Sequence, residues 1–211
     1  NVLDSMRLNG VKKIIFSSTS TIYGEPKQIP TPENYGPLVP ISLYGASKLA
    51  CESLKTSFSH TFDMQCWIFR FANIIGARQT HGVMVDFIKK LRKNPNELEI
   101  LGDGNQKKSY LLVDECVDGI LFALKKSNER VNVFNLGSSD QTTVRRIAEI
   151  VSQEMKLKPK FKFTGNRRGW PGDVSQMQLS VERMKKIGWE PMHSSEEAVR
   201  IAARQLVKEK L

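Results

Sequence analysis

The sequence predicts an α/β protein built on a parallel sheet. Short apolar runs rich in β-branched and aromatic residues alternate with helix-periodic segments along the 211 residues. The run MQCWIFRFANIIG (64–76) is nearly continuous in apolar residues, as a strand buried on both faces is. Strands that alternate with helices in this way build parallel sheets.

Each element has a local reason. Val2, Leu3 and Met6 lie close to one helical face, with Leu8 a turn and a half beyond Leu3, which predicts a helix over 1–9 stopped by Asn9-Gly10. This helix begins at the first residue without a cap, so the expectation is that the sequence is part of something longer. VKKIIFSS (11–18) follows as a strand. The stretch 25–42 holds five prolines, a density that forbids regular structure and predicts a long ordered loop or lid. In 42–62, Leu43, Ala46, Leu49/Ala50, Ser53/Leu54 and Phe58 recur at helical spacing behind Ser42, a cap residue.

After the strand at 64–76, the pattern gives a helix over 84–94, a strand and turn over 97–104, and a strand over 108–113. A helix over 113–127 carries Asp114 near its start and lysines at its end, in accord with the helix dipole. Then come a strand (131–138), a Thr-capped helix (142–155), a strand (161–165) and helices over 181–189 and 194–211, the last opened by a Ser–x–Glu cap.

Composition narrows the function classes. Hydrophobic residues make up 40% and charged residues 26%, a globular balance that excludes disorder of the whole chain. The longest apolar stretches are too short to span a bilayer and no signal-like segment opens the chain, so no membrane association and a cytoplasmic location are expected. Cys51, Cys66 and Cys116 are odd in number and scattered, and His60, His81 and His193 lack ligand spacing, so no metal site is expected. The net charge of +10 raises nucleic acid as a partner. Its basic residues come as scattered pairs, however. KLKPKFKF (156–163) alternates as a strand with one solvated face does, so no nucleic acid is expected.

The chemistry concentrates in two places. SSTST (17–21) places five hydroxyl residues at the end of an apolar strand, more than local capping needs. Tyr44-Gly-Ala-Ser-Lys48 sets a phenol and an ammonium one helical turn apart on one face. A cation beside a phenol favours the phenolate, and such a tyrosine can serve as a general acid or base.

In this setting the sequence resembles the extended short-chain dehydrogenase/reductases, within them the NAD-dependent epimerase/dehydratase family, and most closely its UDP-glucose 4-epimerase type. The likeness runs in order through GVKKIIFSS, IYGEP, PISLYGASKLACE, RFANIIGAR, LGDGNQKKSYLLVDECVDGI, FNLGSSDQTTVRRIAEIV and GWPGDV. It implies the C-terminal part of a Rossmann-like, doubly wound parallel sheet plus a smaller α/β substrate-binding lobe. Residues 1–78 would be the second half of the NAD-binding domain. Residues 79–211 would be mainly the nucleotide-sugar lobe, with 109–136 returning to the first domain.

The resemblance also implies roles. Thr19, Tyr44 and Lys48 would be catalytic. Ser17, Thr19, Tyr44, Lys48, Phe71 and Ala72 would face NAD. Thr19, Tyr44, Asn73, Lys108, Arg168 and Asp173 would face a UDP-sugar, Arg168 replacing the arginine that relatives carry where Trp170 stands. Dehydratases of the family carry Asp–Glu where this chain has Ser20 and Thr21, and UDP-glucuronate decarboxylases carry Glu at Thr21. The implied reaction is therefore hydride abstraction at C4 and its return, through a 4-keto sugar, in a homodimer. The family's GxxGxxG fingerprint occurs nowhere in the sequence, so the 211 residues are expected to be inactive until completed by a dinucleotide-binding half. Epimerisation of another UDP-sugar, or a non-catalytic role in binding RNA or a protein, are the alternatives.

Overall fold

The computed structural model describes residues 1–165 and 174–209. In chain order the elements are α1 (Val2–Leu8), β1 (Lys13–Thr19), a 3-10 turn (Ser20–Tyr23), α2 (Leu43–Thr61), β2 (Gln65–Phe71), β3 (Asn73–Ile75) and α3 (Val83–Lys93). They continue with β4 (Glu97–Ile100), β5 (Lys107–Lys108), β6 (Tyr110–Leu112), α4 (Val113–Lys126), β7 (Val131–Leu136), β8 (Thr142–Thr143) and α5 (Val144–Glu154). The chain ends with β9 (Lys160–Phe163), β10 (Gln176–Met177), α6 (Glu182–Lys186) and α7 (Ser195–Lys208). The α/β class and the parallel sheet are as the sequence predicts. Two compact units divide them: residues 1–71, 117–136 and 179–190 form the first, and 72–116, 137–178 and 191–211 the second.

In the first unit β1, β2 and β7 form a parallel sheet in that order, with Thr19 beside Phe71 and Phe71 beside Leu136. The central strand β2 is buried from Cys66 to Arg70, whereas Ile15 on the edge strand β1 is 49% exposed. Burial on both faces is what the unbroken apolar run of β2 requires. Ile68, Phe69, Leu136, Met184 and Trp189 fill its core.

The second unit packs α3, α5 and α7 around β4 and β6, with Met84, Phe87, Ile88, Leu98, Ile147 and Leu206 among its buried residues. Its strands pair as β3–β6 and β4–β9 in parallel, while β5 runs between β10 and β8. Along β9 the lysines at 160 and 162 are exposed and Phe161 and Phe163 half-buried, the alternation expected of a strand with one wet face. The Tyr110 amide donates to Ser195 Oγ at 3.0 Å, tying β6 to the start of α7.

The sequence run 64–76 is two strands rather than one. β2 ends at Phe71 in the first sheet, and β3 starts at Asn73 in another, paired with Tyr110. Likewise 108–113 divides into β5 and β6, each with its own partners.

Candidate functional site

The hydroxyl run sits where β1 ends. Thr19 is extended and caps the 3-10 turn, its Oγ1 accepting from the Thr21 amide at 3.2 Å. Its hydroxyl also lies 3.2 Å from that of Thr21. Ser18 is buried and donates to the Glu52 carboxylate. Ser17 is exposed, and its carbonyl accepts a hydrogen bond from Lys48 Nζ at 2.8 Å. The run thus divides its tasks: the Thr19 hydroxyl caps, the Ser18 hydroxyl binds a buried acid, and Ser17 offers its backbone carbonyl to Lys48.

Helix α2 brings Tyr44 and Lys48 to this strand end. Ser42 caps it, accepting from the Gly45 amide at 3.0 Å. Gly45 allows a close approach: a Cβ there would lie 2.8 Å from the Thr21 carbonyl oxygen and 3.0 Å from Pro40 Cβ. Any larger residue would push the helix start, and Tyr44 with it, away from the hydroxyl run. Gly24 closes the turn after that run at φ 65°, where a Cβ would collide with the Val39 carbonyl. Lys48 Nζ stands 5.7 Å from the centroid of the Tyr44 ring and 4.9 Å from that of Phe16, within cation–π range of both. Tyr44 is 54% exposed.

Under the site lies a buried polar network that pattern reading missed. Arg70, inside β2, pairs with Glu52 of α2 at 2.7 Å and donates from Nη1 to Tyr23 Oη and to the Glu33 carbonyl, both at 2.8 Å. Tyr23 Oη donates to Asn135 Oδ1 at 2.9 Å, and the Asn135 amide to Glu33 Oε1 at 2.9 Å. Asn135 Nδ2 reaches the Thr31 carbonyl at 3.0 Å, so the proline-rich loop is clamped onto β2 and β7. Burial acts against the Arg70 charge, yet its bonds to Glu52 and the neighbouring Tyr23 and Glu52 outweigh that and hold the guanidinium above its ordinary range. Burial pushes the Tyr23 phenol up to about 12 despite Arg70, which keeps it a donor at neutral pH. Burial likewise raises the Glu33 carboxyl. One signal was available: a lone arginine in the apolar run CWIFRF, with a glutamate one turn after Lys48.

The remaining candidate residues fall as follows. Phe71, half-buried, ends β2 in the first unit. In the second unit Ala72 precedes β3, and Asn73 opens it with both its amide and Nδ2 donating to the Ser109 carbonyl, at 3.2 and 3.0 Å. Lys108 lies on β5, opposite Thr142 of β8. Arg168 and Asp173 lie outside the described residues. Among the described residues no group of three or more His, Cys, Asp or Glu could hold a metal ion, and no helix is long and apolar enough to cross a membrane.

The comparisons follow this geometry. A crystal structure of UDP-galactose 4-epimerase superposes with a TM-score of 0.91 at 40% identity, over 100% of this chain and 68% of that one. A putative UDP-glucose 4-epimerase of Methanocaldococcus jannaschii is 31% identical across 95% of this chain and 65% of its own length. A GDP-mannose 3,5-epimerase of Arabidopsis thaliana is 34% identical across 100% of this chain and 58% of its own. The chain thus spans about three-fifths of the length of these curated relatives. The model of the NAD dependent epimerase/dehydratase family matches residues 1–137. With its parallel sheet, its strand-end hydroxyls and the tyrosine–lysine turn of α2, the chain belongs to the NAD-dependent epimerase/dehydratase family.

Proposed function

We propose that this chain carries the catalytic residues and the sugar-nucleotide lobe of an NAD-dependent 4-epimerase that interconverts UDP-glucose and UDP-galactose. The observation that carries the reading is the Tyr44–Lys48 turn, its ammonium held by the Ser17 carbonyl at the end of a parallel strand. Dinucleotides bind at that end of parallel sheets. The tethered Lys48 and the open Tyr44 ring fit the nicotinamide end of NAD, while no glycine-rich phosphate loop occurs in these 211 residues. On this reading residues 1–78 are the second half of the dinucleotide-binding domain and 79–211 mainly the substrate lobe, with 109–136 returning to the first domain.

NAD, when bound, supplies the hydride acceptor and donor for C4 of the sugar. Tyr44 takes the proton of the 4-hydroxyl and later returns it. Lys48, over the same ring, stabilises the negative charge that develops on the phenolic oxygen. Thr19 Oγ1 spends a lone pair on the Thr21 amide, and on this reading its O–H turns to the sugar oxygen that Tyr44 deprotonates. Asn73, Lys108, Arg168 and Asp173 are assigned to the nucleotide sugar. The exposed Leu43 and Leu54 of α2 support a homodimer through that helix.

The test is formation of UDP-galactose from UDP-glucose with and without NAD⁺, for this chain and for the chain fused to a complete dinucleotide-binding half. Turnover that needs NAD⁺ and is lost in Tyr44→Phe supports the reading. No turnover in either protein despite bound NAD⁺ contradicts it. A second reading rests on the Arabidopsis thaliana relative, whose name specifies a GDP-sugar and inversion at C3 and C5. Such carbon deprotonations need a further base, and 17–21 offer neither carboxylate nor thiol. GDP-mannose in the same assay decides between the two.

A further inference from the structure

Glu52 lies on α2 one turn beyond Lys48 and two beyond Tyr44, with its side chain only 5% exposed. Its carboxylate accepts from Arg70 Nη2 at 2.7 Å, from Arg70 Nε at 3.1 and 3.2 Å, and from the Ser18 hydroxyl. Ser18 stands on β1 between Ser17, whose carbonyl receives Lys48, and Thr19. One buried acid therefore joins the catalytic helix to the residue that separates two strand-end positions of the site. The Lys48 bond to Ser17 cannot fix that relation, because a lysine stem rotates freely about several bonds. The shorter Ser18–Glu52 link, braced by the planar guanidinium of Arg70, can.

Neutralising Arg70 would require no bond to Ser18, and the structure makes one. We propose that Glu52 is a positioning residue: through Ser18 and Arg70 it fixes the axial register of α2 against β1, and so sets where Tyr44 and Lys48 stand relative to Thr19. The catalytic half of this statement rests on the epimerase reading, while the register half stands on the fold alone.

The experiment compares Ser18→Ala, Glu52→Gln and the double variant. Each is labelled with 3-fluorotyrosine, and the Tyr44 resonance is assigned by its absence in Tyr44→Phe. Ser18→Ala leaves the Arg70–Glu52 pair in place and keeps the test informative if Glu52→Gln fails to fold. The expected result is a displaced or broadened Tyr44 resonance in each single variant, with the double no worse than Glu52→Gln. The Tyr110 resonance, from the second unit, stays in place. In the turnover assay of the same variants fused to a complete dinucleotide-binding half and supplied with NAD⁺, kcat falls about tenfold or more while KM changes less than about twofold, as misplacement of a catalytic group predicts. An unmoved Tyr44 resonance in Ser18→Ala would overturn the proposal and reduce Glu52 to a counterion for Arg70. A moved resonance in proteins that, even fused to a dinucleotide-binding half and with NAD⁺ bound, never turn over UDP-sugars would uphold the register and reject the epimerase reading.

Discussion

Substituting Arg70 by methionine tests how the first unit is held together. The Arg70 and Glu52 side chains are 7% and 5% exposed and meet at 2.7 Å. Removing one partner of a buried pair leaves an uncompensated charge and costs about 3–5 kcal/mol. At about 2–4 °C per kcal/mol for a protein of this size, the melting temperature should fall by about 6–20 °C. Glu52→Leu should cost a similar amount. The double variant should cost much less than the sum of about 6–10 kcal/mol, because no charge is then stranded. It should still lose some stability, since the Glu33 carbonyl and Ser18 Oγ each give up a partner, while Tyr23 Oη keeps its bond to Asn135. Urea unfolding read by Trp67 and Trp189, both in the first unit, measures all three. A cost below about 1 kcal/mol for Arg70→Met, or additive single costs, would refute the buried-pair argument.

Three other outcomes follow from the same geometry. In the chain fused to a dinucleotide-binding half, Tyr44→Phe and Lys48→Met should each lower kcat by about 10²–10⁴-fold, with urea midpoints showing stability within about 0.5 kcal/mol of the parent protein. Gly45→Ala gains about 1 kcal/mol of helix propensity but forces a Cβ to 2.8 Å from the Thr21 carbonyl oxygen. It should destabilise by about 1–3 kcal/mol and lower kcat, as melts and turnover will show. Lys55 is buried with its ammonium 3.7 Å from the Phe16 centroid, and burial lowers its proton affinity. The unfolded chain therefore holds the extra proton between that lowered value and about 10.4, so stability rises with pH across the window. Lys55→Met should raise the melting temperature at pH 7, and the gain should vanish above about pH 10.4; a constant gain would contradict the burial argument.

How much of this was legible in the sequence depends on the residue. Lys48 and Tyr44 could be placed because helical spacing alone puts them on one face. The apolar run 64–76 could be read as buried strand, but not as two strands. Phe71 and Asn73 are equally compatible with a sheet interior, and the change of partner at Ala72 depends on β7 and β6, which lie far along the chain. The hydroxyl run showed that something happens at the end of β1. Which hydroxyl caps and which binds Glu52 follows from where α2 packs. Arg70 broke the hydrophobic pattern visibly, yet its partners lie 18, 37 and 47 residues away, beyond any local rule. Glu33 was hidden for a different reason: in a proline-rich loop an acid reads as solvated, and here it accepts from the backbone of β7.

The central claim is that hydride leaves C4 of the sugar and returns to the opposite face of the same carbon. UDP-[4-²H]glucose, given with NAD⁺ to the chain fused to a complete dinucleotide-binding half in ordinary water, tests it directly by NMR of the product. The account predicts UDP-galactose with the deuterium retained at C4. Deuterium lost to solvent, or product inverted at another carbon, would contradict it.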